Sequence, residues 1–229
     1  MSSICVIPAR GGSKRIPRKN IRVFGGKPMI AWPVLAALES GAFDEVIVST
    51  DDQEIAEIAV ECGASVPFMR PAELSDDHTG VMPVVRHAIT FLRDSGRAPV
   101  LAACVYPTAP FLRAGSLDRA MEELKRTDAD FVLSVTSFEY PVQRALKLDE
   151  GGRLRFAQPE FALTRSQDLE HRYHDAGQFF AGRAAAMMEY DAVLFARCLP
   201  LVIPRDEAVD IDTEEDWQFA GKLHALRHE

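Results

Sequence analysis

The regular alternation of apolar and amphipathic segments constrains the fold of this chain more than any other feature. Four apolar, β-branched segments have the composition of buried strands: ICVIPA, EVIVST, VLAACVY and DFVLSVTSF. The segments between them have helical character: PMIAWPVLAALES, DDQEIAEIAVEC, a stretch near 80–95 and SLDRAMEELKR. Gly41 and Gly63 follow the first two of these as helix ends. This β-α-β-α order predicts a three-layer α/β/α domain, in which a mostly parallel sheet has helices on both faces.

The alternation is interrupted between residues 138 and 180. A hairpin signal at Asp149–Gly152 joins the segments KL and RLRF, and the polar segment TRSQDLEHRYHDAG follows without clear periodicity. The pattern resumes with QFFAGRAAAMMEY and LPLVIP, and EEDWQFAGKLHAL is expected to form the last helix. We therefore predict one domain, 1–229, with an insertion at 138–180 that leaves the main sheet as a small antiparallel flap or as an oligomer contact.

The charge of the chain is distributed very unevenly. The net charge is −8, yet the first 38 residues hold seven Lys and Arg residues and no Asp or Glu. A local basic patch on an acidic protein suits a small polyanion better than a nucleic acid, which the rest of the surface would repel. Nucleic acid is therefore not an expected partner.

The sequence also indicates no membrane segment and no oxidising compartment. Its apolar runs are shorter than the roughly 20 residues that span a bilayer, and MSSICVIPARGG lacks the basic start and the apolar length of a signal peptide. The four cysteines are scattered singly, without a CxxC pair that would indicate zinc. We expect a cytoplasmic protein with small buried thiols.

The densest positive charge lies directly after the first strand, in PARGGSKRIPRKN at residues 8–20. A strand followed by Gly11 and Gly12 and then by basic side chains can present N–H groups and cations to a phosphate, because glycine permits a close approach. The loop matches neither GxxxxGK[ST] nor GxGxxG, which excludes a Walker loop and disfavours a nicotinamide-dependent dehydrogenase. Pro17 discourages a helix at the glycines, so the loop is expected to wrap its ligand. The alternative is an ordinary basic surface turn.

A second group of charged residues follows near the C-terminus, in VDIDT at residues 209–213. In an extended segment Asp210 and Asp212 point to the same side, and two carboxylates beside a triphosphate suit Mg²⁺. The local alternative is that Thr213 caps the last helix together with the acidic residue three positions later, and both roles are compatible. Asp51 and Asp52, which end the second strand, either cap a helix or contact the ligand.

These motifs resemble those of the acylneuraminate cytidylyltransferases (CMP-sialic acid synthetases), the enzymes that make CMP-activated acidic sugars. The resemblance rests on PARGGSKRIPRKN followed by GKPMIAW, and it extends over nearly the whole chain. It implies a nucleotidyltransferase (Rossmann-like) fold that binds CTP, and Mg²⁺ through the aspartates of an xDIDT stretch. Together with the glycine argument it implies the nucleotide contacts Arg10, Gly11, Gly12, Ser13, Lys14, Lys19, Asn20 and Arg70. Related enzymes have Gln where this chain has Tyr106, so a tyrosine is expected to stack or to hydrogen-bond at that position.

The insertion indicates the sugar. FALTRSQDLEHRYHDAGQFF resembles a segment of the pseudaminic acid cytidylyltransferases more closely than that of the N-acetylneuraminate enzymes. The resemblance implies that this segment takes part in sugar recognition and in a homodimer, in which the flap of one subunit reaches towards the site of its neighbour. Arg165 is expected to bind the sugar carboxylate, and Gln167, Asp175 and Gln178 to bind hydroxyl or acetamido groups. His174 is expected to be solvated rather than to act as the general base, for which we name no residue.

The sequence therefore predicts an enzyme that transfers CMP from CTP to a nine-carbon nonulosonic acid, most closely matching pseudaminic acid, and releases pyrophosphate. Arg10, Lys19 and Asp212 are the expected catalytic residues, because the reaction depends on positioning and on neutralising charge. The alternatives are the same reaction on N-acetylneuraminate or on a keto-deoxy-octulosonate, and a regulator that binds a nucleotide without turnover.

Overall fold

The computed structural model describes residues 2–227 of the 229-residue chain. Its strands are β1 Ser3–Pro8, β2 Val23–Phe24, β3 Lys27–Pro28, β4 Glu45–Ser49, β5 Leu101–Val105, β6 Phe131–Ser137, β7 Leu146–Leu148, β8 Leu154–Phe156, β9 Tyr173–Arg183 and β10 Cys198–Val202. Six of them form the main sheet, in the order β10-β6-β9-β5-β1-β4. All of its pairings are parallel except those of β9, which runs antiparallel to β5 and β6.

Helices cover both faces of this sheet. They are α1 Ala31–Ser40, α2 Gln53–Glu61, α3 Val81–Asp94, α4 Ala114–Arg126, α5 Ala184–Glu189 and α6 Glu214–Arg227. Val34 of α1, Ile55 of α2 and Leu117 of α4 belong to one core cluster, whereas Val85 of α3 and Met187 of α5 belong to the other. The predicted three-layer arrangement with a mostly parallel sheet is confirmed.

The local sequence explains why these elements form where they do. In β1, Cys5 contributes to one core cluster and Val6 to the other. The strand is apolar on both faces because helices cover both sides of the sheet. Helix α2 is capped by Asp52, the residue before it, whose carboxylate accepts a hydrogen bond from the Ile55 amide at 3.1 Å. Gly63, with a φ of 96°, follows the end of this helix in the left-handed conformation that favours glycine.

The insertion is shorter than the sequence indicated. The predicted hairpin is present, because β7 and β8 pair antiparallel around Asp149–Gly152. However, β9 starts at Tyr173 and lies in the middle of the main sheet, so the excursion ends near residue 172 rather than at 180. The apolar segment SVPFM at residues 65–69, which follows α2, makes only isolated bridges, one with Ile47 of β4 and one with Thr50 directly after β4. No helix within residues 2–227 is long and apolar enough to cross a membrane.

Candidate active site

A pocket lies at the carboxyl ends of β1, β4 and β5, the edge at which open α/β sheets bind ligands. Its volume is about 280 Å³, and the loop after β1 supplies much of its wall. Six of the residues that the sequence assigned to the nucleotide line it: Arg10, Ser13, Lys14, Lys19, Asn20 and Arg70. Pro8, Val84 and Pro107 provide an apolar part of the same wall.

The basic loop and the aspartates near the C-terminus meet beside this pocket. The Nζ atom of Lys19 donates to the carbonyl oxygen of Ile211 at 2.6 Å and lies 3.4 Å from Oδ1 of Asp212. Arg15 forms an ion pair with Oδ2 of the same carboxylate at 2.9 Å. Residues separated by almost 200 positions in sequence therefore form one charged cluster, as the sequence predicted.

The conformation of residues 209–213 follows from the alternation of apolar and acidic residues in this segment. Ile211 is fully buried in a third apolar cluster with Trp217, and the partly buried Val209 packs against that cluster. Thr213 and Asp216 form the expected capping box at the start of α6, because the Asp216 amide donates to the threonine hydroxyl at 3.2 Å and the hydroxyl donates to the Asp216 carboxylate at 2.7 Å. The amide of Asp212 also donates to this carboxylate at 3.1 Å, so the cap holds the second aspartate in place.

Asp210 and Asp212 offer oxygen donors of the kind that Mg²⁺ prefers. Partial burial, and then the negative charge of Asp212, raise the pKa of Asp210. A bound cation would relieve both effects, so the donor set fits a divalent metal. Within residues 2–227 no group of three or more His, Cys, Asp or Glu side chains forms a ready-made metal site. Magnesium commonly takes only one or two carboxylates and completes its shell with phosphate and water, so magnesium binding here stays a prediction.

Two residues of the basic loop have partners within the protein that the sequence did not indicate. The Gly11 amide donates to Oδ1 of Asp51 at 3.0 Å, and a Cβ at this position would lie 2.7 Å from Oδ2 of Asp52. The side-chain amide of Asn20 is buried and donates to the carbonyl oxygen of Arg10 at 2.9 Å. Both residues therefore fix the shape of the loop, whereas a Cβ at Gly12 would meet nothing within 4 Å.

Arg70 and Asp77 approach the pocket from the chain that follows α2. Arg70 is buried, and its guanidinium donates to the hydroxyl of Ser49 at 3.2 Å and to the carbonyl oxygen of the same residue. Asp77 forms an ion pair with Arg10 at 2.8 Å and another with Lys14. Sequence reasoning missed Asp77, although its place in the acidic segment between Arg70 and α3 was a usable signal.

Tyr106 and the start of β9 lie next to the pocket but do not line it: Tyr106 precedes the lining residue Pro107, and its amide donates to the carbonyl oxygen of Gln178 at 2.8 Å. Burial, and then nearby negative charges, raise the pKa of Tyr106, so its hydroxyl remains a hydrogen-bond donor. Burial also raises the pKa of Asp175, whose carboxylate accepts from the Gly177 amide at 2.8 Å. Gly177 in turn lies against Asp210, which brings Asp175 close to the aspartate pair.

None of the four residues assigned to the sugar lines the pocket wall, although Asp175 lies near the aspartate pair. Gln178 is only 2% exposed, and its amide donates to the carbonyl oxygen of Glu207 at 2.6 Å, so it stabilises the core rather than facing a ligand. Arg165 and Gln167 are exposed on the insertion and away from the pocket. The sequence could not indicate this for Gln178, because β9 enters the centre of the sheet, where Gln178, Phe179 and Phe180 are all buried.

Comparison with known proteins identifies the family. A model of the family described as cytidylyltransferase matches residues 4–220. The chain belongs to the cytidylyltransferase family. This cytidylyltransferase is therefore a nucleotidyltransferase. Its basic loop lies near the start of the matched region and its aspartate pair near the end, and the two are in contact through Lys19 and Asp212.

Relatives with assigned names resemble this cytidylyltransferase over its whole length. A pseudaminic acid cytidylyltransferase of Campylobacter jejuni is 43% identical over 229 residues, which cover 100% of this chain and 99% of that protein. A CMP-N,N'-diacetyllegionaminic acid synthase of Legionella pneumophila is 34% identical over 236 residues, again with 100% and 99% coverage. Among solved structures, a CMP:2-keto-3-deoxy-manno-octonic acid synthetase complexed with CTP has a TM-score of 0.73 at 16% identity, covering 99% of this chain and 100% of that chain. This last likeness supports the fold alone.

Proposed function

We propose that this cytidylyltransferase transfers CMP from CTP to the anomeric hydroxyl of pseudaminic acid and releases pyrophosphate. The 43% identity with a pseudaminic acid cytidylyltransferase along the full chain supports the choice of sugar. The observation that carries the reaction is the contact between Lys19 and Asp212, because Lys19 lines the pocket and this contact brings the aspartate segment beside it.

The pocket suits a nucleoside triphosphate because its two parts differ in character. Arg10, Lys14 and Lys19 provide positive charge for the phosphates, with the Ser13 hydroxyl beside them. The apolar wall of Pro8, Val84 and Pro107 suits the flat face of a base. We assign Tyr106 to the same end, as a donor that stays protonated at neutral pH.

Asp210 and Asp212 are the residues that would hold Mg²⁺ in this reaction. The metal ion would neutralise charge on the phosphates when it is bound. The protein itself contributes Lys19, which bonds the Ile211 carbonyl oxygen and so fixes the aspartate segment relative to the loop. Its position between the phosphate side and the carboxylates is the reason that we assign it to catalysis.

The chemical step needs no covalent intermediate with the enzyme. The anomeric oxygen of the sugar attacks the α-phosphorus in line and gives its proton to water, while the bond between that phosphorus and the oxygen bridging to the β-phosphorus breaks and pyrophosphate leaves. Arg10 and Lys19 stabilise the charge that builds up on the leaving group. Asp175 lies on the aspartate side of the site, where it can accept a hydrogen bond from a sugar hydroxyl. Most of the rate enhancement then comes from positioning and electrostatics.

We also propose that the enzyme is a homodimer in the cytoplasm. The insertion exposes several large apolar side chains, among them Tyr140 at 78% and Leu163 at 98%. An apolar surface of this kind suits contact with a second subunit, and Arg165 beside it would reach the sugar carboxylate in the neighbouring site. All four cysteines are free thiols, which suits a reducing compartment.

The proposal is tested by measuring pyrophosphate release from CTP in the presence of pseudaminic acid, N-acetylneuraminate or a keto-deoxy-octulosonate. We expect pseudaminic acid to give the highest kcat/KM and Mg²⁺ to be required. Asp212→Asn should reduce kcat by at least about a hundredfold, as expected when a charge-neutralising group is removed. The control Glu215→Gln removes an equal charge three residues further along and should keep wild-type activity. CTP binding without turnover of any of the sugars would support the regulator instead.

The shared site is tested by mixing two inactive variants. If Arg165 acts across the dimer, Asp212→Asn and Arg165→Ala subunits that are mixed and allowed to exchange should regain about a quarter of the wild-type activity, because half of the dimers then have one complete site. Absence of recovery, although subunit exchange is demonstrated, would place Arg165 in its own subunit's site or outside both sites.

A further inference from the structure

The segment from Ser75 to Gly80 covers the phosphate side of the pocket. The guanidinium of Arg10 donates from Nη1 to the carbonyl oxygen of Asp76 at 2.9 Å and to Oδ1 of Asp77 at 2.8 Å. The other carboxylate oxygen of Asp77 bonds the Nζ atom of Lys14. The Asp77 carboxylate therefore pairs with two of the cations that we assign to the triphosphate. Arg10, Lys14 and Asp77 all line the pocket.

This carboxylate and a triphosphate compete for the same donors. Nη1 of Arg10 already has two acceptors, so a phosphate oxygen can bond it only by displacing one of them. Phosphate groups beside Asp77 would also place like charges close together, which is unfavourable. The pairing with Lys14, and then that with Arg10, lower the pKa of Asp77, so the side chain is charged at neutral pH.

The segment is held mainly by local hydrogen bonds, among them one from the Thr79 hydroxyl to the carbonyl oxygen of Glu73 at 3.3 Å. The side chain of Asp76 accepts hydrogen bonds from the amides of His78 and Thr79 at 3.0 and 2.6 Å, which close a turn within the segment. Gly80, which precedes α3, has no atom of a non-neighbouring residue within 4 Å of the position that a Cβ would take. The described hydrogen bonds between this turn and the basic loop are those with Arg10 and Lys14.

We propose that Asp77 is a built-in counter-ion, which holds Arg10 and Lys14 while the pocket is empty and is exchanged for the phosphates of CTP. The inference rests on the proposed nucleotide site. It adds a specific cost of binding: the phosphates gain Nη1 of Arg10, and the full charge of both cations, only as the Asp77 pairs are broken. Removal of the carboxylate should therefore tighten the binding of phosphate-bearing ligands and leave cytidine unaffected.

The test is isothermal titration of wild type, Asp77→Asn, Asp77→Ala and Asp76→Asn with CTP, pyrophosphate and cytidine, both with Mg²⁺ and with EDTA. We expect both Asp77 variants to lower the Kd of CTP and of pyrophosphate about fivefold, the size of an exposed ion pair. Asp76→Asn is the matched control: it removes the same charge from the same turn but keeps an acceptor for the two amides, so its Kd should stay within about twofold of wild type.

Several outcomes would overturn the inference. Weaker CTP binding by Asp77→Asn would make Asp77 a residue that orients Arg10 and Lys14 for the phosphates. A change that occurs only with Mg²⁺ would make it a metal ligand, and an unchanged Kd would give it no part in binding. Arg10→Ala separates this result from the proposed site. If Arg10→Ala binds CTP as tightly as wild type, the assignment of the phosphate site itself is wrong. If Arg10→Ala loses CTP binding but Asp77→Asn has the Kd of wild type, only the exchange of Asp77 for phosphate is rejected.

Discussion

Two adjacent glycines of the basic loop should respond to alanine in opposite ways. A Cβ at Gly11 would lie 2.7 Å from Oδ2 and 3.0 Å from Cβ of Asp52, whereas a Cβ at Gly12 would have no neighbour within 4 Å. Neither glycine has a positive φ, so alanine is compatible with the backbone at both positions. The difference between the two variants therefore isolates the contact with Asp52.

The cost of Gly11→Ala can be worked out from what Asp52 does. Its carboxylate caps α2 through the Ile55 amide at 3.1 Å and forms an ion pair with Arg18. Loss of an N-cap costs about 0.5 to 2 kcal/mol, and a partly exposed ion pair adds at most about 1 kcal/mol. A total of roughly 0.5 to 3 kcal/mol corresponds to a decrease in Tm of about 1 to 12 °C for a chain of this size.

The assay is thermal unfolding followed by circular dichroism, together with CTP titration of the same samples. Gly11→Ala should lose both stability and CTP affinity, because the displaced Asp52 carries the loop with it. Gly12→Ala should change the stability by less than about 0.5 kcal/mol but weaken CTP binding, since its Cβ would occupy the space that a phosphate needs. An unchanged Tm for Gly11→Ala, or an equal loss for Gly12→Ala, would refute this account of the loop.

Three further results are expected. Thr213→Val removes the hydroxyl of the capping box with Asp216 and should lower the Tm by about 2 to 4 °C, corresponding to about 1 kcal/mol. Burial raises the pKa of Asp175 in the folded state, so ionisation of this carboxylate opposes folding. Asp175→Asn should therefore raise the Tm more at pH 7 than at pH 4. An equal change in Tm at both pH values would refute this. The Arg18 pair lowers the pKa of Asp52, so the stabilisation it provides is present above the unfolded pKa and lost as the pH falls through the folded value. Unfolding of Asp52→Asn should thus depend less on pH below about 4 than that of wild type.

The order of strands and helices could be predicted because each element carries its own signal. Ile55 and Ala59 recur at helical spacing in α2, and Gly63 marks where that helix ends, so local chemistry was sufficient. Strand β9 could not be placed in this way. Its polar start resembles a loop, and its position between β5 and β6 depends on pairings with distant residues that no local pattern encodes.

The same distinction explains which site residues could be found. Asp210 and Asp212 alternate with the apolar Ile211 in an extended segment, so the direction of their side chains was readable from the sequence. The roles of Gly11 and Asn20 within the loop depend on partners brought by the fold, namely Asp51 and the Arg10 carbonyl oxygen. The role of Gln178 likewise depends on the fold, because its strand lies between β5 and β6 and buries the side chain.

A crystal structure of the enzyme with CTP and Mn²⁺ in place of Mg²⁺ tests the central claim most directly, because the anomalous signal locates the metal ion independently of the nucleotide. We expect the phosphates to lie against Arg10, Lys14 and Lys19, and the metal ion to bind between them and the carboxylates of Asp210 and Asp212. A nucleotide bound away from the loop, or a metal ion that touches neither aspartate, would contradict the account.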